Sequence, residues 1–221
     1  MLAVSGTWRQ RARNRMVAAA RGYAAMGWPC SQGVRPLDDG PRACSCDRIG
    51  CPSPGAHPLS AAWRMQATAD PEVLSRWWQE RPDAGIILPT GRVFDVFDVP
   101  AEVGAAAIDR SGREEVPLGP VAAFGDERYL FFVATRGAPD DEDEWWSCHL
   151  DCFPETVGET QGMRWHCRDS YIVAPPTPLP GGREVRWLRP PRPAKGPATA
   201  PAKGADLPDP VRLLEVLADS P

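Results

Sequence analysis

Val93-Phe94-Asp95-Val96-Phe97-Asp98-Val99 is a run of β-branched and aromatic residues broken by two carboxylates. Such a run between turn residues reads as a strand. The turn is Pro89-Thr90-Gly91-Arg92, and before it Gly85-Ile86-Ile87-Leu88 reads as a second strand. Asp95 and Asp98 are the candidate catalytic residues, because a carboxylate at a strand end is what Mg2+ or Mn2+ asks for in phosphoryl or nucleotidyl transfer. Residues three apart on a strand face opposite sides, so a bulge or a strand end between them is needed to bring both into one site. The competing reading of Asp98 is a turn carboxylate, or the cap of a helix that starts at Pro100.

Outward from this strand the pattern alternates between helix and sheet. Pro100-Ala101-Glu102 opens a short helix to about Arg110. Asp70-Pro71-Glu72 is an N-cap followed by proline at the first helical position, and the helix runs through Leu74, Trp77 and Trp78 to near Pro82. Residues 9–26 read as a helix with Met16, Ala20 and Tyr23 on one face and arginines on the other. Residues 121–124, 129–135, 171–174 and 185–188 read as strands. Helices and strands in this order predict an α+β fold.

The chain has 221 residues, enough for one domain of roughly 150–200 residues and a tail. Residues 1–189 are assigned to the domain, with the Cys-rich loop 30–59 as an insert. Residues 190–208 are Pro, Ala, Gly and Lys with almost no large apolar side chain, which predicts a linker, and 209–221 a last helix. Of the 25 basic residues only Lys195 and Lys203 are lysine, so each arginine is weak evidence for a site. A net charge of −4 excludes a histone-like binder but leaves room for a local basic patch. No apolar stretch of about 18 residues occurs, so no membrane span is expected. The Arg-rich N-terminus lacks the apolar core of a secretory signal, which predicts a reducing, cytoplasmic setting. There the seven cysteines read as ligands or buried thiols.

Cys44, Cys46, Cys51 and His57 place three thiols and an imidazole within fourteen positions. Zn2+ takes four tetrahedral N and S ligands, and a loop with no core of its own gains stability from such a tie. Cys30 is a substitute ligand. Cys148, His149, Cys152, His166 and Cys167 form a second group, read either as a metal site or as buried thiols. Trp77-Trp78 and Trp145-Trp146 have the rings for base stacking, against the commoner role of packing. Asp140 to Glu144 is an acidic run that reads as a solvated loop.

Several segments together resemble the bifunctional DNA primase/polymerase (Prim-Pol) domain of the archaeo-eukaryotic primase superfamily, in its short actinobacterial form. They are Ala24-Ala25-Met26-Gly27-Trp28-Pro29, then Cys51-Pro52-Ser53-Pro54-Gly55-Ala56-His57-Pro58, Trp63, Ala67-Thr68-Ala69-Asp70-Pro71 and Trp77-Trp78. Pro82-Asp83-Ala84-Gly85-Ile86, Thr90-Gly91, Ser170-Tyr171-Ile172-Val173-Ala174-Pro175-Pro176-Thr177 and Trp187 complete the series, over about residues 15–190. The resemblance implies an RRM-like sheet and template-directed nucleotidyl transfer with divalent metal. It implies nucleotides, single-stranded DNA and replication proteins as the partner classes. Four departures accompany it. The family's Asp-x-Asp/Glu pair maps to Asp98 and Pro100, and proline cannot ligate Mg2+. The Ser-x-His motif has no counterpart near Tyr129 to Arg136. The later catalytic acid falls near Arg164, and a usual lysine is Ala56. The scaffold is therefore expected with its metal-binding acids largely lost. The alternatives are an active enzyme that recruits Asp95, Glu102 or Asp169, and an inactive scaffold or regulatory interaction module.

Overall fold

A computed structural model describes residues 3–37, 44–46, 48, 50–135, 162–192 and 207–220. The acidic run at Asp140, the Trp145-Trp146 pair, Cys148, His149, Cys152 and residues 193–206 of the expected linker lie outside the described residues. The chain divides into two compact units, one of Met1–Pro89 with Val173–Arg186 and one of Thr90–Ile172 with Trp187–Pro221.

The first unit opens with α1 (Ala3–Ala25), six residues earlier than its apolar stripe suggests. Met16, Ala20 and Tyr23 are buried as the stripe requires. Tyr23 keeps its hydroxyl satisfied in that setting by donating to the Pro175 carbonyl at 2.6 Å. The short strand β1 (Ser31–Gly33) pairs antiparallel with β2 (Gly85–Pro89), Gln32 opposite Ile86. A single turn, α2 (Trp63–Gln66), precedes α3 (Pro71–Glu80). The start of α3 is the expected one: Asp70 accepts from the Glu72 and Val73 amides at 2.8 and 3.3 Å, with Pro71 next. Leu74 and Trp78, four apart, are fully buried. The Trp78 indole donates to the Ala84 carbonyl at 2.8 Å. That ring is a packing element, the commoner of the two roles the sequence allows; Trp77 beside it is half-buried. Strand β7 (Tyr171–Ala174) neighbours β2 and completes a three-stranded sheet, order β1-β2-β7.

A five-stranded sheet, most of it in the second unit, is made of β3 (Phe94–Pro100), β4 (Val121–Phe124), β5 (Arg128–Ala134), β6 (Arg164–His166) and β8 (Val185–Arg189), in the order β6-β3-β5-β4-β8. Both β3 and β4 run antiparallel to β5, so they are parallel to each other with β5 between them. Helix α4 (Ala101–Arg113) joins them, which makes a split β-α-β unit. Antiparallel β6 on the outer edge of β3 gives the RRM-like strand order that the resemblance implies. The two strands 85–89 and 94–100 lie in different sheets although only four residues separate them.

The faces of this sheet differ. Phe97, Val99, Phe131, Val133 and Trp165 point to one side and form a core with Ala107 of α4. Leu213, Val216 and Leu217 of α5 (Pro210–Ala218) join that core. Helix α5 starts as α3 does, with Asp209 accepting from the Val211 amide at 2.8 Å and Pro210 at the first position. The last helix thus docks on the core, as its apolar spacing predicts. Register places Phe94, Val96, Asp98, Leu130, Phe132, Arg164 and His166 on the opposite side.

Candidate functional site

Asp98 sits near the end of β3 with its side chain only 8% exposed. A buried carboxylate must be paired or hydrogen-bonded, because its desolvation is otherwise too costly. Arg128, at the start of β5, answers it. Its Nε donates to Asp98 Oδ1, and its Nη2 donates to the Asp98 carbonyl at 2.9 Å and to the Gly162 carbonyl. One guanidinium therefore ties β3, β5 and the approach to β6. Two further basic side chains face the same carboxylate. Arg164 Nη1 lies 3.9 Å and His166 Nε2 lies 3.4 Å from Asp98 Oδ2. The ladder sets Arg164 directly opposite Asp98, and His166 opposite Val96.

His166 is oriented from its other nitrogen, with Nδ1 at 3.1 Å from Ser170 Oγ. The turn that carries Ser170 is gripped by the Thr90-Gly91 segment. Thr90 donates its hydroxyl to the Cys167 carbonyl at 2.6 Å and its amide to the Ser170 carbonyl at 3.0 Å. Gly91 has φ +76°, and a Cβ there would stand 2.2 Å from Arg168 Cα. Only glycine fits that approach. Gly91→Ala is expected to cost about 2–4 kcal/mol, since both the backbone angle and the space forbid it. Denaturant unfolding monitored by tryptophan fluorescence measures it, and an unchanged midpoint would remove the clamp from the account.

Asp95 points to the other face from Asp98, as its odd spacing on a regular strand dictates, and is buried. The structure therefore does not bring the two candidate acids together. Pro100 stands two residues past Asp98 on the same face, opposite Arg128. Glu102 lies in the first turn of α4, and Asp169 takes φ +65° in the turn after β6. Among the described residues, the group with the donors for a metal is Cys44, Cys46, Cys51 and His57.

Those four belong to the first unit. Their ligand atoms lie within 4.8 Å of one another. His57 Nε2 is 3.5 Å from Cys44 Sγ and 3.4 Å from Cys51 Sγ. Tetrahedral bonds of about 2.3 Å to sulfur and 2.05 Å to nitrogen put S and N about 3.6 Å apart, so the donors fit a metal such as zinc. His57 Nδ1 lies 2.9 Å from the Pro58 carbonyl, which selects the tautomer whose Nε2 lone pair faces the thiols. Backbone bonds anchor the loop to β1: Val34 donates to the His57 carbonyl at 3.0 Å and Leu59 to the Gln32 carbonyl at 3.0 Å. The Arg48 amide, and then hydrogen bonds from His57, Cys44 and Cys51, bring the Cys46 thiol down to about 7. Burial pushes the Cys51 thiol up. Cys30 is not part of the cluster. It is fully buried beside α1, with its Sγ 3.7 Å from the Trp28 carbonyl, and burial pushes its thiol far up.

The family model of the bifunctional DNA primase/polymerase, N-terminal (Prim-Pol) domain matches residues 20–203. The chain belongs to the Prim-Pol family. A comparison with curated proteins finds no match. The Prim-Pol match spans both units, so the Cys/His cluster and the Asp98 face both lie within it. No described helix is long and apolar enough to cross a membrane. Of the second Cys/His group, Cys167 belongs to the α4–α5 core while His166 points to the other face, so strand alternation separates those two neighbours. Sequence reasoning passed over Arg128 and the pairing of His166 with Asp98. The resemblance drew attention to position 164, Thr90-Gly91 and Ser170, though not to the bonds by which Thr90 holds the turn.

Proposed function

We propose that this Prim-Pol-family protein binds nucleotide or DNA and has lost the acidic set for nucleotidyl transfer, with its Cys3His cluster holding one structural zinc. The observation that supports this most is the company Asp98 keeps among the described residues: Arg128, Arg164 and His166, and no second acid. A two-metal site depends on carboxylates to hold its cations and to screen them from each other. Here one carboxylate is engaged by a guanidinium, a proline occupies the second position, and an arginine stands opposite. Phosphate-bearing ligands suit that charge balance better than Mg2+ does. The net charge of −4 keeps any DNA affinity modest and strongly dependent on salt.

Primer extension with Mg2+ or Mn2+ tests the reading, with Asp98→Ala as control. The expected result is no incorporation above that control. Incorporation that Asp98→Ala abolishes would establish an active polymerase, and the reading would fail.

A further inference from the structure

Arg164 has the least engaged charge in this group. It stands on β6, the outer strand of the five-stranded sheet. Its side chain is about half exposed (51%) and comes no closer than 3.9 Å to Asp98 Oδ2, a contact too long for a hydrogen bond. Asp98 already has a stronger partner, because Arg128 binds both its carboxylate and its carbonyl. Among the described residues two guanidiniums share one carboxylate, so a positive charge is left over, and Arg164 holds it at the exposed end of the group. A guanidinium presents paired N–H donors in a plane that matches a phosphoryl group, and this one has no hydrogen bond to Asp98 to give up first.

We infer that Arg164, seated opposite the Asp98–Arg128 pair, is the phosphate-receiving side chain of a metal-independent anion site. The ligand is a phosphoryl group, carried either by a nucleoside triphosphate or by the backbone of a single strand. The inference rests on the nucleotide- or DNA-binding reading above and assigns that binding to one side chain. It also reverses the usual requirement: a divalent cation is not needed as a bridge.

The test uses the full chain, fluorescein-labelled (dT)20 followed by anisotropy, and dTTP followed by calorimetry, both in EDTA at about 50 mM salt. Wild type should bind at least one probe in EDTA. Arg164→Gln should weaken that binding about tenfold, the order expected for one charged phosphate contact. For (dT)20, the salt slope should become shallower by about 0.7. Arg164→Glu should weaken binding further, and Arg164→Lys should restore part of it. Loss confined to (dT)20 identifies the strand as the source, and loss confined to dTTP identifies the nucleotide. Because the side chain is half exposed, these variants should melt as wild type does, and a melting scan verifies it. Binding that appears only with added Mg2+ overturns the inference. So does wild-type-like binding by both Arg164→Gln and Arg164→Glu, although the broader reading then survives. No binding of either probe by wild type overturns both.

Discussion

Cys44→Ser is expected to strip the metal from the chain and to lower Tm by on the order of 10 °C, a loss of about 3–5 kcal/mol in a protein of this size. The loop around the cluster is the reason. Between β1 and α2 the described chain has only isolated bridges, Gly33 with Pro58 and Pro36 with Cys44. Few apolar side chains are available there to offset the ordering of the backbone. A zinc bound by three thiolates and His57 would close that loop, and its binding free energy becomes folding free energy. Cys44 is the most buried of the four candidate donors, so no water can readily replace its sulfur. Wild type purified without added metal should contain about one zinc per chain by elemental analysis, and Cys44→Ser about none. A strong chelator should reproduce the fall in Tm on wild type and leave Cys44→Ser unmoved. Cys30→Ser supplies the contrast: its thiol lies outside the cluster, so zinc content should stay at the wild-type level. Zinc-free wild type, or a Cys44→Ser protein that keeps its metal, would sink the assignment.

That cluster was readable from spacing because ligand chemistry demands particular atoms, and three thiols and an imidazole fall within fourteen positions of the loop. Helices α3 and α5 were readable for a similar reason. Each begins with Asp-Pro, and an aspartate cap followed by proline has few other uses than starting a helix. Strand β3 declared itself by its density of β-branched and aromatic residues. The three-residue strands β1 and β6 did not, since three residues are too few to establish a period. They exist because longer strands offer them a ladder. The start of α1 was missed because Ser5-Gly6-Thr7 reads as a break, and local propensity is a weak guide where a long helix continues. Arg128 was invisible for a different reason. In a chain whose basic residues are nearly all arginine, no single arginine stands out, and its partner lies 30 positions earlier. The opposite-face placement of Asp95 and Asp98 follows from strand geometry, and bringing both acids into one site would have required the irregularity that β3 does not contain.

Asp98→Ala is expected to destabilise the second unit by about 3 kcal/mol, near the lower end of what removing one partner of a buried ion pair costs. The loss is larger than that of an ordinary surface salt bridge because of what remains. Arg128 is only 19% exposed, and without the carboxylate its charge is left facing two carbonyls, of Asp98's own position and of Gly162. Two carbonyl dipoles do not replace a full negative charge in a partly desolvated pocket. Arg164 then adds repulsion, because the carboxylate that faced both guanidiniums is gone. The pair can be separated from a mere cavity effect by a double-mutant cycle. Asp98→Leu and Arg128→Met should each be destabilising alone, whereas the two combined should recover much of the loss, since replacing both members of a buried pair is often close to neutral. A divalent cation at this carboxylate makes the opposite prediction. Wild type would then gain Tm with Mg2+ or Mn2+, Asp98→Ala would abolish that gain, and Arg128→Met would strengthen metal binding by freeing Oδ1. Thermal scans of these proteins in EDTA and in 5–10 mM metal, roughly the range where weak carboxylate sites fill, decide between the two. If Asp98→Ala in EDTA melts within a degree or so of wild type, the guanidinium is not what holds this carboxylate.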